Sequence, residues 1–190
     1  MEYYLIEHVH KKGVRLLPKI IEDAKGAILH EARHELFEQG PKKMTIRSVA
    51  SGCGVAIGTI YNYFPNKEML MASVILEDWM VTMENMKSGC RKASSIISGL
   101  EVIYSEIQSF LRLYEHIFKE TGMPVAVKYT YSEQHDLLCS QISSILNELY
   151  ERFGKPQQED MLLFLSECLL NGAVRKSDIS FLKNIFIKLM

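Results

Sequence analysis

Residues 44–67 read Met-Thr-Ile-Arg-Ser-Val-Ala-Ser-Gly-Cys-Gly-Val-Ala-Ile-Gly-Thr-Ile-Tyr-Asn-Tyr-Phe-Pro-Asn-Lys. Thr45 is an N-cap residue type, and Ile46, Val49 and Ala50 follow at i, i+3, i+4, the spacing of a one-faced helix. Gly52 and Gly54 break that helix, and Gly54 can take the left-handed conformation that ends one. Val55 would plug the corner, and a second short helix is predicted from about Ile57 to Phe64, stopped by Pro65. Helix, glycine-containing turn, helix is the outline of a helix-turn-helix, whose second helix enters the major groove of DNA.

Two longer runs tighten the match. One is Gly54 to Leu70, read as Gly-Val-Ala-Ile-Gly-Thr-Ile-Tyr-Asn-Tyr-Phe-Pro-Asn-Lys-Glu-Met-Leu; the other is Ile28-Leu29, Ala32, Leu36-Phe37 and Gly40, then Thr45 and Val49-Ala50. Together they resemble the TetR/AcrR family of transcriptional regulators over about 45 residues, 28 to 72. One position departs from that family's pattern. Ala56 stands at the cap of the second helix, where the family often has Ser or Thr, so one N-terminal amide is left uncapped at a cost of about 0.5–2 kcal/mol. Residues 73–190 carry no motif, as expected if such C-terminal regions diverge with ligand.

The 190 residues suffice for one or two domains with a real core. A net charge of −1 excludes a bulk nucleic-acid binder, yet the charge is unevenly placed. Residues 1–67 hold ten Lys+Arg and seven Asp+Glu, a net of +3; residues 68–190 hold twelve and sixteen, a net of −4. A basic head on an acidic body suits a chain that brings only one end to DNA. Cys53, Cys90, Cys139 and Cys168 lie far apart with no CxxC pair, which suggests neither a zinc knuckle nor a disulfide framework and reads as reduced intracellular thiols. No apolar run approaches a membrane span and residues 1–20 lack a signal-peptide pattern, so a cytoplasmic protein without membrane partners is expected.

Helical periodicity dominates and predicts an all-α chain. Residues 1–17 fit an arm or an early helix start. Helices are then predicted over Pro18–Gln39, the pair above, Asn66 to about Lys87 before Ser88-Gly89, Ala93–Glu120 with a break allowed, Ser132–Phe153, Pro156–Asn171, and from a Ser177-Asp178 cap to the C-terminus. Residues 125–131 fit a short helix or a loop. The expected division is a helix-turn-helix domain over 1–66 and a helical ligand-binding and dimerisation domain over 67–190, joined by the helix that starts at Asn66.

Several competing motifs carry little. His30-Glu31-Ala32-Arg33-His34 is a literal HExxH, but it falls inside the first helix with Ala32 on the core side, so both histidines flank the buried stripe and face solvent. A catalytic zinc also needs a third protein ligand, and no second ligand pattern stands downstream. Gly52, Gly54 and Gly58 lack the spacing of a phosphate loop. Cys53 reads as a structural thiol behind the turn, and His116 and His135 as lone structural histidines. No metal, cofactor or catalytic residue is expected.

The resemblance implies roles for particular residues. Arg47, Ile57, Gly58, Asn62 and Tyr63 would face base edges, with Asn62 suited to adenine and Arg47 to guanine. Thr45, Thr59, Tyr61 and Lys67 would contact phosphates, and Lys11, Lys12 and Arg15 of the arm would add minor-groove contacts. In the body, Trp79, Met80, Met83, Met86, Tyr104, Phe110, Tyr114 and Phe118 form an apolar and phenolic set suited to a hydrophobic or aromatic effector. Glu101, Glu106, Glu115 and Glu120 read as a solvated face. The apolar content of the last two helices, about 156–173 and 177–189, marks a homodimer interface. The expectation is an effector-released repressor on a near-palindromic double-stranded operator. The alternative is a helical small-molecule carrier or enzyme that does not act on DNA.

Overall fold

A computed structural model describes residues 23–121 and 133–189. Among them are eight helices and no strand: α1 (Ala24–Glu38), α2 (Ile46–Cys53), α3 (Ile57–Tyr63), α4 (Lys67–Lys92), α5 (Ile96–Glu120), α6 (Glu133–Arg152), α7 (Glu159–Val174) and α8 (Ile179–Leu189). The all-α expectation holds. The expected arm and residues 125–131 lie outside the described residues.

Local chemistry sets most helix ends. Asp23 caps α1, its Oδ1 accepting from the Gly26 amide at 2.8 Å, and its own backbone is not helical. The first helix therefore begins at Ala24 instead of running unbroken from Pro18. Ser95 and Ser98 form a reciprocal capping box that starts α5 at Ile96, three residues after the predicted Ala93, and α5 then runs unbroken to Glu120. Asp178 accepts from the Ser180 amide at 2.8 Å at the start of α8. The α7 helix lies three residues later than predicted, because Pro156 precedes an extended Gln158 and the helix starts only at Glu159.

Helix α4 departs from its predicted stop. It passes through Ser88-Gly89 to Lys92 and ends at an extended Ala93. Gly89 serves packing instead of termination, since a Cβ there would run into Cγ1 of Val102 on α5. Its absence lets the two long helices approach closely.

Helices α1–α3 form the head; α5–α8 pack as a body, and α4 contacts both. The apolar core runs continuously between them, from Ile28, Leu36, Val49 and Ile60, through Leu70 and Val74, to Met86, Ile103, Ile107 and Leu146. Each such side chain contributes about 1.5–3 kcal/mol when fully buried.

Several described apolar residues of α7 and α8 pack inside the chain. Leu162, Leu165, Leu169 and Leu170 are buried, as are Leu182 and Phe186. Leu163 and Phe164 remain at the surface, 36% and 51% exposed.

Candidate nucleic-acid interface

The head is built to hold α3 away from the core. Thr45 caps α2: its Oγ1 accepts from the Ser48 amide at 3.0 Å, and Ser48 Oγ accepts from the Thr45 amide at 3.0 Å. Ser48 Oγ also donates to Oε2 of Glu35, 2.5 Å away on α1. Glu35 is buried, so this bond both satisfies its carboxylate and fixes α2 on α1. The Glu35 link was invisible to helix periodicity, which reads a glutamate as solvent-facing.

The turn follows a Schellman pattern. Gly54 adopts φ 67°, its amide reaches Ser51 O at 3.1 Å, and the Val55 amide reaches Ala50 O at 3.0 Å. A side chain at that φ would be strained, which is why glycine occupies it. Cys53 is half-buried behind the turn, with Sγ 3.5 Å from the Ala27 carbonyl of α1. Burial and then the charge of Glu31 push its thiol up, in keeping with a structural role.

Helix α3 buries a single residue, Ile60. Phe64, just past its end, anchors it a second time. Everything else turns outward or lies at the margin: Ile57 is 37% exposed, Tyr61 52% and Tyr63 47%, and Gly58 and Asn62 are exposed. A Cβ on Gly58 would meet nothing within 4 Å, so the space in front of it is open. Arg47 and Thr45 are exposed on α2 and at its cap, while Thr59 and Lys67 are half-buried. The Thr45 hydroxyl is engaged with Ser48, so its principal local task is capping. Lys67 is the first residue of α4, whose N-cap Asn66 accepts from the Met69 amide at 2.8 Å.

The family model for "Bacterial regulatory proteins, tetR family" matches residues 28–74, the segment that contains this arrangement. Over those residues the chain resembles the tetR family. The chain is 23% identical over 100 residues to the HTH-type transcriptional regulator UidR of Escherichia coli (strain K12), over 53% of its own length and 47% of that protein's. It thus spans about half the length of the curated relatives it matches. Its fold is shared with a TetR-family transcriptional regulator from Streptomyces coelicolor (TM-score 0.56, 17% identity, 78% of each chain). It is shared too with the fatty acid degradation regulator FadR from Bacillus halodurans (TM-score 0.50, 19% identity, 80% of this chain and 88% of that one).

Within this head, Ala56 makes no side-chain cap to α3, as the departure at that position implied. The HExxH pair stays unused: His30 and His34 are exposed, and among the described residues no third His, Cys, Asp or Glu joins them.

The body residues expected around an effector divide. Trp79, Phe110, Tyr114 and Phe118 form an aromatic ladder, with centroids 5.1 Å apart for Trp79–Phe110, 5.1 Å for Phe110–Tyr114 and 5.8 Å for Tyr114–Phe118. Phe37 of α1 joins it, 5.4 Å from Tyr114. Met83 and Met86 are buried on the same helix as Trp79. Met80 does not belong to this set. It is 58% exposed, because Trp79, Met83 and Met86 recur at i, i+4, i+7 while Met80 is turned about 100° from Trp79. Tyr104 is buried but engaged elsewhere, its hydroxyl donating to the Ser177 carbonyl ahead of α8 at 2.5 Å.

Polar groups tie the ladder to the head. Asp78 on α4 accepts from the Tyr114 hydroxyl at 2.8 Å and from Arg33 Nε of α1 at 3.0 Å. Trp79 Nε1 donates to Gln141 of α6 at 2.7 Å. The sequence reading missed Asp78, Arg33 and Gln141, none of which belongs to a local motif.

Proposed function

We propose that this chain is a DNA-binding transcriptional regulator, a repressor that binds a near-palindromic operator as a homodimer and releases it on binding a small hydrophobic or aromatic effector. The observation that carries the reading is the exposure of α3. A short helix that buries only Ile60 and presents Ile57, Tyr61, Asn62 and Tyr63 gains little from folding alone, and these groups suit the floor of a major groove. Arg47, Ile57, Gly58, Asn62 and Tyr63 read bases in this proposal; Thr45, Thr59, Tyr61 and Lys67 position the backbone. Residues 1–66 act as the DNA-binding unit and residues 67–190 as the effector and dimer unit.

Two copies are required because one such helix reads only a few base pairs, and a second lies one helical turn away in a symmetric pair, about 34–36 Å. The dimer face lies on the last two helices, about 156–173 and 177–189, where Leu163 and Phe164 of α7 are exposed. The effector separates α4 from the aromatic ladder of α5 and tilts α4, so the two heads no longer match both half-sites. It must prefer the tilted state, since equal affinity for both would shift nothing.

The test is a mobility-shift titration with DNA from upstream of the chain's own gene, at low and moderate salt, beside unrelated DNA of equal length. Retained preference for the upstream DNA at moderate salt supports the proposal. Equal, salt-sensitive binding to both DNAs, or none to either, refutes it.

A further inference from the structure

His135 is not a lone histidine. It lies in the first turn of α6, one turn before Cys139, and both face Glu167 of α7. His135 Nε2 is 3.1 Å from Glu167 Oε2, Cys139 Sγ is 3.2 Å from the same oxygen, and Sγ and Nε2 are 3.8 Å apart. We propose that His135, Cys139 and Glu167 form a binding site for a divalent transition metal of the zinc class, bridging α6 and α7. This site stands independently of the DNA-binding reading.

The spacing fits the ion. Donors around a tetrahedral zinc, with bonds of about 2.0–2.3 Å, stand about 3.3–3.6 Å from one another. The three observed separations bracket that range, so an ion enters with sub-ångström adjustments instead of rotamer changes. The donor set is also selective. Imidazole and thiolate disfavour magnesium and calcium, which take oxygen ligands, and suit zinc and its neighbours. Charge closes as well: a dication with one thiolate and one carboxylate is neutral, which suits a place where His135 and Cys139 are 8% and 5% exposed. Binding releases the thiol proton to solvent, one per ion. A water completes the coordination, the usual arrangement when three protein donors hold the metal.

The carboxylate donor is held by an outer partner. Asn171, one turn along α7, donates from Nδ2 to Glu167 Oε1 at 2.9 Å, which leaves Oε2 turned to the cluster. Asp136 Oδ1 lies 3.6 Å from His135 Nδ1 and adds negative charge beside the cluster, which favours a cation there. A hydrogen bond from an amide behind a ligating carboxylate is one way proteins orient metal ligands.

The experiment uses the full chain, stripped with a chelator and kept reduced, titrated with Co²⁺ and then Zn²⁺. The expected result is one Co²⁺ per chain, with a thiolate-to-cobalt charge-transfer band that one equivalent of Zn²⁺ abolishes. Cys139→Ser should lose the band, and Asn171→Ala should keep it while weakening Zn²⁺ binding about 10–100-fold. Absence of the band in the unaltered chain overturns the proposal, as does an identical band in Cys139→Ser, which would assign the metal to another cysteine. If Cys139→Ser fails to fold by circular dichroism, the unaltered chain and Asn171→Ala decide: unchanged Zn²⁺ affinity in Asn171→Ala would remove Glu167 from the site.

Discussion

Arg33 and Asp78 are 45 residues apart in sequence, yet Arg33 Nε lies 3.0 Å from each carboxylate oxygen of Asp78. The partners differ in exposure, 47% for the Arg33 side chain and 16% for Asp78. Asp78 also receives the hydroxyl of Tyr114, which is fully buried. One carboxylate on α4 therefore joins the first helix of the head to the aromatic ladder of the body.

The unequal burial predicts unequal effects. Arg33→Ala removes a half-exposed partner and should cost about 0.2–1 kcal/mol. Asp78→Ala orphans the buried Tyr114 hydroxyl and should cost about 1–3 kcal/mol. Chemical denaturation checks the order, and the double variant should cost less than the sum, since both changes break one network. Equal losses from the two single variants would contradict this account.

Ala56 leaves the first turn of α3 without a side-chain cap. Ala56→Ser should stabilise the fold by about 0.5–2 kcal/mol, read as a raised denaturation midpoint at unchanged slope. A destabilised variant would mean that the extended backbone at this position does not present a hydroxyl to the helix.

Asn62 and Lys67 separate the two kinds of DNA contact in the proposed interface. Asn62→Ala should weaken operator binding by about 1–3 kcal/mol and relax preference at one base pair per half-site. Lys67→Ala should weaken all DNA about equally and reduce the salt slope by about one. Binding across a randomised operator library at several salt concentrations distinguishes them; an unchanged sequence preference in Asn62→Ala would remove it from base reading.

Met83 tests the proposed switch. Met83→Trp fills the α4 side of the ladder from within and should lower operator affinity without effector while leaving the dimer folded. Normal DNA binding by the variant, with intact release, would place the effector elsewhere.

Alkaline pH should destabilise the fold in a defined window. Burial, with the charge of Glu148 adding to it, pushes the Cys90 thiol from 9.0 up to about 11. Between those values the unfolded chain has lost a proton that the folded chain keeps, so stability is fully present below pH 9 and falls as pH rises toward 11. Burial, then the bond to Asp78, also pushes the Tyr114 phenol far above its ordinary range, in the same direction. Denaturation midpoints across pH 8–11 should fall less for Cys90→Ala than for the unaltered chain.

What could be read in advance was local. Thr45, Gly54 and Pro65 act on neighbours within a few residues, so cap, turn and stop were legible, and the helix-turn-helix with them. Glu35, Asp78 and Gly89 were not, because each serves another helix: Ser48 on α2, Arg33 and Tyr114 on α1 and α5, Val102 on α5. Met80 was misplaced because composition counted it where helix phase excluded it. His135 looked solitary because one of its two partners, Glu167, sits on a different helix.

Helix α4 is one unbroken rod of 26 residues, about 39 Å long. Asp78, clasped by Arg33 and Tyr114, stands near its middle and makes a natural fulcrum. Lys67 lies about 16 Å to one side of it, at the end beside the helix-turn-helix. Each 4° of tilt about Asp78 carries that end by about 1 Å. A displacement of about a methyl radius beneath the far arm is thus carried toward the end that holds the proposed DNA interface, because no proline interrupts residues 67–92.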